Sequence, residues 1–301
     1  VVMNHHKATV TGGTFTAAEG SDKTTYGVYN CACAEDHDIG ELKISGGTFT
    51  GADFAVADVS SVGGKITISN GTFIGSSGAI GISSGHTGVF SISGGTFSSN
   101  VSEYVADGYT MVESESGYTV EILSAENAVA SVGTGENVNY YKTVAEAVEN
   151  ANNGTVTLLQ NATFDTLPLS SGSVIVDLNG YTLTSVSGET SVIQNGANLT
   201  IQDSKDKGTL VYNGITDPAK AALEVQTGSS ITLKNIHYET SGTGIYAWGN
   251  AATINVQNVA IESKGYCVGT NAGKIENYQV DINVTNSQLT SALEGIGTAV
   301  L

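Results

Sequence analysis

The sequence predicts an all-β fold of the parallel β-solenoid type, and three observations carry that prediction. A six-residue module recurs four times: Val10-Thr11-Gly12-Gly13-Thr14-Phe15, Ile44-Ser45-Gly46-Gly47-Thr48-Phe49, Ile68-Ser69-Asn70-Gly71-Thr72-Phe73 and Ile92-Ser93-Gly94-Gly95-Thr96-Phe97. Its phenylalanines stand 34, 24 and 24 positions apart. A unit of that size is too short to enclose a core and has to stack on its neighbours to bury an apolar face. Val, Ile, Thr and Phe alternate with Gly and Ser, and Gly or Asn at the corner admits the positive φ that a sharp bend between strands needs. With hydrogen-bonded strands about 4.8 Å apart, Phe15, Phe49, Phe73 and Phe97 form one inward column, and Thr14, Thr48, Thr72 and Thr96 an outward one.

The 301 residues suit one long solenoid or two consecutive ones, since a solenoid core grows by addition. Only 13% of the residues are charged, Gly numbers 38, and Pro168 and Pro218 are the only prolines, a turn-dense, secreted-type composition without a Pro-rich linker. The net charge is -18, and all eleven basic residues are Lys. That balance repels phosphate backbones and anionic membranes, so nucleic-acid binding is excluded as a function class. Without Arg, chemistry that needs a guanidinium fork is excluded too. No apolar run reaches the roughly 20 residues of a membrane helix. Cys31, Cys33 and Cys267 make an odd count, so a disulfide framework is not expected. Cys31-Ala32-Cys33 beside Glu35, Asp36, His37 and Asp38 reads as an acidic surface loop; as a metal site it lacks a second ligand pair.

Residues 1–123 read as the first solenoid segment. Tyr26 and Val28, Phe54 and Val56, and Ile80 and Ile82 are i, i+2 pairs of a second strand with its inner face buried. Loops such as Ser83-Ser84-Gly85-His86-Thr87-Gly88 vary in length, as recognition loops do. Tyr118-Thr119-Val120-Glu121-Ile122-Leu123 reads as a closing strand or hairpin arm. A small-polar boundary follows at 124–138. The second segment, 139–301, opens with the single expected helix, at about 143–152. Thr143 caps it, with Glu146 three residues on as in a capping box, and Val144, Ala147, Val148 and Ala151 form its apolar stripe. Its expected role is to cover the exposed first rung against strand addition. Alternating strands then recur at 174–179, 199–203, 231–235, 254–258 and 282–286, each ending in Asn or Asp. Asn235, Asn258 and Asn286 suggest a stacked amide ladder at a bend, directed like the Phe column toward the solenoid axis. Gly295 to Leu301 read as the start of a further strand without a cap, which suggests a solenoid cut at its C-terminus and open to end-to-end stacking.

These blocks resemble the right-handed parallel β-helix (pectin-lyase-like) repeats of large surface proteins of Gram-positive gut bacteria. The resemblance rests on the Ile-Ser-Gly-Gly-Thr-Phe module followed by Val101 to Tyr109, then on Val-Ala-Glu-Ala-Val at 144–148, Asp-Leu-Asn-Gly-Tyr-Thr-Leu at 177–183 and Leu-Thr-Ile-Gln-Asp-Ser at 199–204. It implies a right-handed coil and an extracellular, cell-wall-attached, adhesin-like protein that presents loops to a host glycan or surface protein.

The same fold carries polysaccharide lyases and hydrolases, so the site has to be argued separately. Asp177 and Asp203 on adjacent rungs would be the acid–base pair. Their positions at strand-ending turns give them a structural reading, and no catalytic residue is assigned. No cofactor is expected; calcium at Asp203 and Asp206, beside Lys205 and Lys207, is the one alternative. His5, His6, His37, His86 and His237 show no recurring partner spacing. For glycan binding, Tyr246 and Trp248 share one side of a strand, with Tyr238, Tyr266 and Tyr212 in neighbouring rungs. Outward, they would form a stacking platform for sugars; inward, they would be core, and alignment with Leu223 and Val225 favours inward. Thr14-Phe15-Thr16 and Thr48-Phe49-Thr50 suggest an ice-binding array, but it is only two rungs deep.

Overall fold

The computed structural model describes residues 1–18, 24–31, 40–60, 63–82, 88–135, 137–205, 208–270 and 278–292. Strands make up 55% of it and helix 3%, in a β-solenoid of about ten turns. The chain forms two compact units, Val1–Asn127 and Ala128–Leu301.

In the first unit three parallel sheets form the walls. One contains Val2–Asn4, Tyr26–Asn30, Phe54–Asp58 and Gly78–Ile82; the second Lys7–Val10, Glu41–Ile44, Lys65–Ile68 and Val89–Ile92; the third Thr14–Thr16, Thr48–Gly51, Thr72–Gly75 and Gly95–Phe97. The repeated module folds as the sequence suggests. Its aliphatic residues Val10, Ile44, Ile68 and Ile92 are register partners on the second sheet, and its phenylalanines are partners on the third. The Phe rings stack with centroids 4.8, 5.1 and 4.9 Å apart. That is the spacing of hydrogen-bonded strands, so the backbone ladder dictates the ring spacing. Gly71, at φ +134°, shows why the corner is glycine: a Cβ there would stand 2.8 Å from Phe73 Cζ. The antiparallel hairpin Tyr109–Ser114 and Gly117–Ile122 then pairs with Gly95–Phe97. Of the expected second-strand pairs, Val28 and Val56 are buried, whereas Ile82 is exposed. The inward column that ends at Ile82 is otherwise polar: Asn4, Asn30 and Asp58 are buried register partners. Asn4 Nδ2 donates to Asn30 Oδ1 at 2.7 Å, Asn30 Nδ2 to the Gly40 carbonyl at 2.9 Å, and Ser60 Oγ to Asp58 Oδ1 at 2.6 Å.

The second unit repeats the three-walled plan. Its first sheet holds Thr155–Leu158, Ser173–Asp177, Asn198–Gln202, Ser230–Lys234, Ala252–Gln257 and Val280–Thr285. The second holds Ala162–Phe164, Thr182–Ser185, Thr209–Tyr212, His237–Thr240, Ala260–Ser263 and Gln288–Ser291. The third holds Ser191–Ile193, Ala221–Gln226, Thr243–Trp248 and Val268–Thr270. Val174, Leu199, Ile231, Ile254 and Ile282 form one inward column of the first sheet. The helix runs Val144–Glu149, with Thr143 Oγ1 accepting from Glu146 N at 3.1 Å; it buries Val144, Ala147 and Val148, and Ala151, just past its C-cap Asn150, is buried too. The helix packs against Thr155–Leu158 and Ala162–Phe164, the first rung, as expected. The free edge of Thr155–Leu158 is paired antiparallel with Ala130–Thr134, which in turn pairs with Asn137–Tyr141. The hairpin extends this sheet, with its outer strand Asn137–Tyr141 at the sheet's end, and the helix covers the first rung. The stretch read as a boundary thus divides, Ser124 to Asn127 belonging to the first unit and Ala130–Thr134 to the second.

The amide ladder needs correction in its direction. Asn235, Asn258 and Asn286 do stack at a corner, and Asn258 Nδ2 donates to Asn235 Oδ1 at 3.1 Å. All three are left-handed, at φ 57°, 54° and 49°. That backbone turns the side chain outward: Asn235 is half-buried, and Asn258 and Asn286 are exposed. The core beneath them is filled by aliphatic residues.

Candidate functional site

On Thr243–Trp248, Ile245 and Ala247 point into the core and are fully buried, which turns Tyr246 and Trp248 to the outer face. The register explains the difference from the expected alignment. Leu223 pairs with Ile245, Glu224 with Tyr246, Val225 with Ala247 and Gln226 with Trp248. The rung between Glu224 and Tyr246 is 22 residues, whereas the Asn235 to Asn258 rung is 23. A one-residue slip exchanges the two faces of a strand. Tyr246 and Trp248 are therefore surface residues and not core.

Their rings lie 6.1 Å apart between centroids and are inclined by 31°. Trp248 is 55% exposed, and Tyr246 is half-buried. The partner of Tyr246 on the following rung is Gly269, where a Cβ would stand 3.1 and 3.2 Å from Tyr246 Cδ2 and Cε2. The absent side chain lets the Tyr246 ring lie against the sheet. On the preceding rung, Gln226 Nε2 donates to Glu224 Oε1 at 2.9 Å. Below Trp248, Gly249 N donates to the Tyr278 hydroxyl at 3.0 Å.

The other expected site residues do not join this surface. Tyr238 is fully buried, its hydroxyl donating to the Gly244 carbonyl at 2.9 Å. Burial holds its phenol well above the usual tyrosine range. Tyr212 is also buried, its hydroxyl 2.7 Å from Ser191 Oγ, and burial raises its pKa in the same way. Tyr266 is half-buried in a turn, three positions before Gly269, and its backbone N donates to Thr243 Oγ1.

Asp177 and Asp203 have structural partners. Asp177 Oδ1 accepts from Asn179 N and Ser204 N at 2.9 and 3.0 Å, while Asp203 accepts from Gly180 N and Gly208 N at 2.6 and 2.7 Å. Each carboxylate ties one rung to the next through backbone amides. Asp206 and Lys207 lie outside the described residues, as do Cys33, His37, His86 and 295–301. Cys31 is buried and disulfide-bonded, which the odd cysteine count did not suggest, and Cys267 is a free, buried thiol. Among the described residues no group of three or more His, Cys, Asp or Glu is arranged to hold a metal, and no helix is long and apolar enough to cross a membrane.

A second surface feature escaped the sequence reading. On the second sheet Glu239 and Glu262 are register partners with exposed side chains. His237 Nε2 lies 3.7 Å from Glu239 Oε1 and 3.6 Å from Glu262 Oε1, without a hydrogen bond. A groove of about 350 Å³ runs past Glu239 and Glu262, lined also by Val211, Lys264 and Thr290. The signal was present in sequence: His237-Tyr238-Glu239 and Ala260-Ile261-Glu262 alternate in phase, 23 positions apart. Comparison of the chain with models of known protein families, with curated proteins and with solved structures found no match. The geometry is the ground on which function has to be argued.

Proposed function

We propose that the chain is an extracellular, adhesin-like β-solenoid that binds glycan through Tyr246 and Trp248. The observation that carries this reading is the exposure of Trp248 beside Tyr246, in a unit that buries Tyr212 and Tyr238 completely. Exposed neighbouring aromatic faces offer sugars a large contact area at low entropic cost. The polar pair Glu224 and Gln226 beside them supplies acceptors and donors for hydroxyls. The resemblance to bacterial surface repeats and the disulfide at Cys31, a feature of oxidising compartments, support an extracellular, cell-wall-attached location. A glycan array probed with the native chain and with Trp248→Ala tests the reading. Binding that the substitution abolishes is expected. Strong quenching of the single Trp by iodide, relieved by ligand, is the companion measurement.

A second reading, a polysaccharide-cleaving enzyme, is favoured by Glu239 and Glu262. Register partners on rungs about 4.8 Å apart come near the roughly 5–5.5 Å carboxylate separation of retaining glycosidases. Incubation with pectins, mucin glycans and uronans, with and without calcium, separates the two readings. New reducing ends or unsaturated products that vanish in Glu239→Gln and Glu262→Gln would establish the enzyme; their absence leaves the binding module.

A further inference from the structure

We propose that the aromatic platform takes a neutral glycan with a twisted backbone and rejects chains bearing uronate, sialate or sulfate groups. This rests on the glycan-binding reading above and narrows its ligand. Sugars seat their C–H faces on aromatic faces. Two residues of one chain placed on Tyr246 and Trp248 are then inclined to each other as the rings are, by 31° across 6.1 Å. A flat, ribbon-like glycan matches one ring and lifts from the other. The inclination is built in on the Tyr246 side, because that ring is seated against Gly269.

Charge sets the second half of the inference. On the described strands of this sheet the outward positions hold Val192, Glu224, Gln226, Tyr246, Trp248 and Gly269. They include one carboxylate and no lysine. Glu224 is the direct register partner of Tyr246, so a ligand anion stacked on that ring lies within a few ångströms of a like charge. The chain as a whole carries -18 and repels the same ligands at longer range. For a neutral sugar this arrangement is favourable: Gln226 satisfies one Glu224 oxygen, leaving the other and the Gln226 carbonyl oxygen to accept from hydroxyls.

Fluorescence titration of Trp248, the single Trp, reads the test directly on the full chain. The probes are a β-1,3-glucan oligosaccharide (twisted, neutral), a cello-oligosaccharide (flat, neutral) and an oligogalacturonate (anionic). The twisted neutral probe is expected to bind most tightly; Trp248→Ala, which has no Trp left to report and is therefore titrated by calorimetry beside the native chain, is expected to lose binding while its melting curve stays unchanged. The anionic probe is expected to bind about tenfold more weakly or worse, regaining affinity in Glu224→Gln and at high salt. Equal or tighter Trp248-dependent binding of the flat or anionic probe overturns this inference and leaves the glycan reading standing. Failure of all three probes to show Trp248-dependent binding overturns both.

Discussion

At the scale of single residues, the carboxylates divide by what they face. Asp203 is buried, and both of its oxygens accept from backbone amides of glycines, Gly180 and Gly208. Removing it strands the buried Gly208 N–H, at about 1–3 kcal/mol, while the exposed Gly180 N–H can turn to water. Asp203→Ala is therefore expected to destabilise the second unit by about 1–3 kcal/mol, and Asp203→Asn by less, measured by urea unfolding. The acid–base alternative predicts lost cleavage with stability intact. Buried acids of another kind set the alkaline limit. Burial pushes the Cys267 thiol from 9.0 up to about 11 and raises the phenols of Tyr212 and Tyr238. Between pH 9 and 11 the unfolded chain has released the Cys267 proton while the folded chain still holds it, so stability falls as pH rises through that window. The melting temperature is expected to be unaffected by these groups below pH 8.5 and to drop above pH 9. Tyrosinate absorbance from the two buried phenols should appear only with unfolding.

At the scale of elements, the Phe column shows how a repeat distributes stability. Phe73 is flanked by Phe49 and Phe97 and is fully buried, whereas Phe15 ends the stack and is half-buried. Phe73→Ala is expected to cost about 3–5 kcal/mol and Phe15→Ala clearly less, both read from denaturant midpoints. Equal costs would mean that the rings are held independently by the backbone. This column was legible in sequence because each copy carries the same Gly-Thr-Phe corner, so the spacing of the copies is the register. In the second unit the coils differ in length, and no module marks them. The strands Ser230–Lys234 and Ala252–Gln257 pair at an offset of 23, while Ala221–Gln226 and Thr243–Trp248 pair at 22. A ladder read on one face therefore misplaces the next, which is how Tyr246 and Trp248 came to be aligned with core positions. The same limit hid Glu224, Gln226, Glu239 and Glu262, whose roles exist only once register is known. The Asn ladder was readable as a column, but its outward direction follows from the left-handed backbone, which composition alone does not orient. The helix cap at Thr143 was readable because capping is local. The hairpin that extends the neighbouring sheet is a tertiary pairing and was not.

At the scale of the whole molecule, the described residues form two hydrophobic cores, one in each unit. One runs from Val28 to Val120 and contains the Phe column; the other runs from Ala130 to Val268. In each unit one sheet is extended by an antiparallel hairpin, Tyr109–Ser114 with Gly117–Ile122 in the first and Ala130–Thr134 with Asn137–Tyr141 in the second. Each hairpin switches the sheet from parallel to antiparallel and leaves its own outer strand, Tyr109–Ser114 or Asn137–Tyr141, at the sheet's end. Because nearest-neighbour stacking supplies the stability and each unit has its own stack, cutting between Asn127 and Ala128 removes no rung from either. Fragments 1–127 and 128–301 are each expected to fold, with β-type circular dichroism and cooperative melting. Their summed melting profiles should reproduce that of the full chain, apart from any term for linkage. Substitutions then sort by unit: Phe73→Ala shifts only the 1–127 transition, and Asp203→Ala only that of 128–301. A single transition in the full chain that both substitutions move equally, together with an unfolded isolated fragment, would show one cooperative solenoid instead of two.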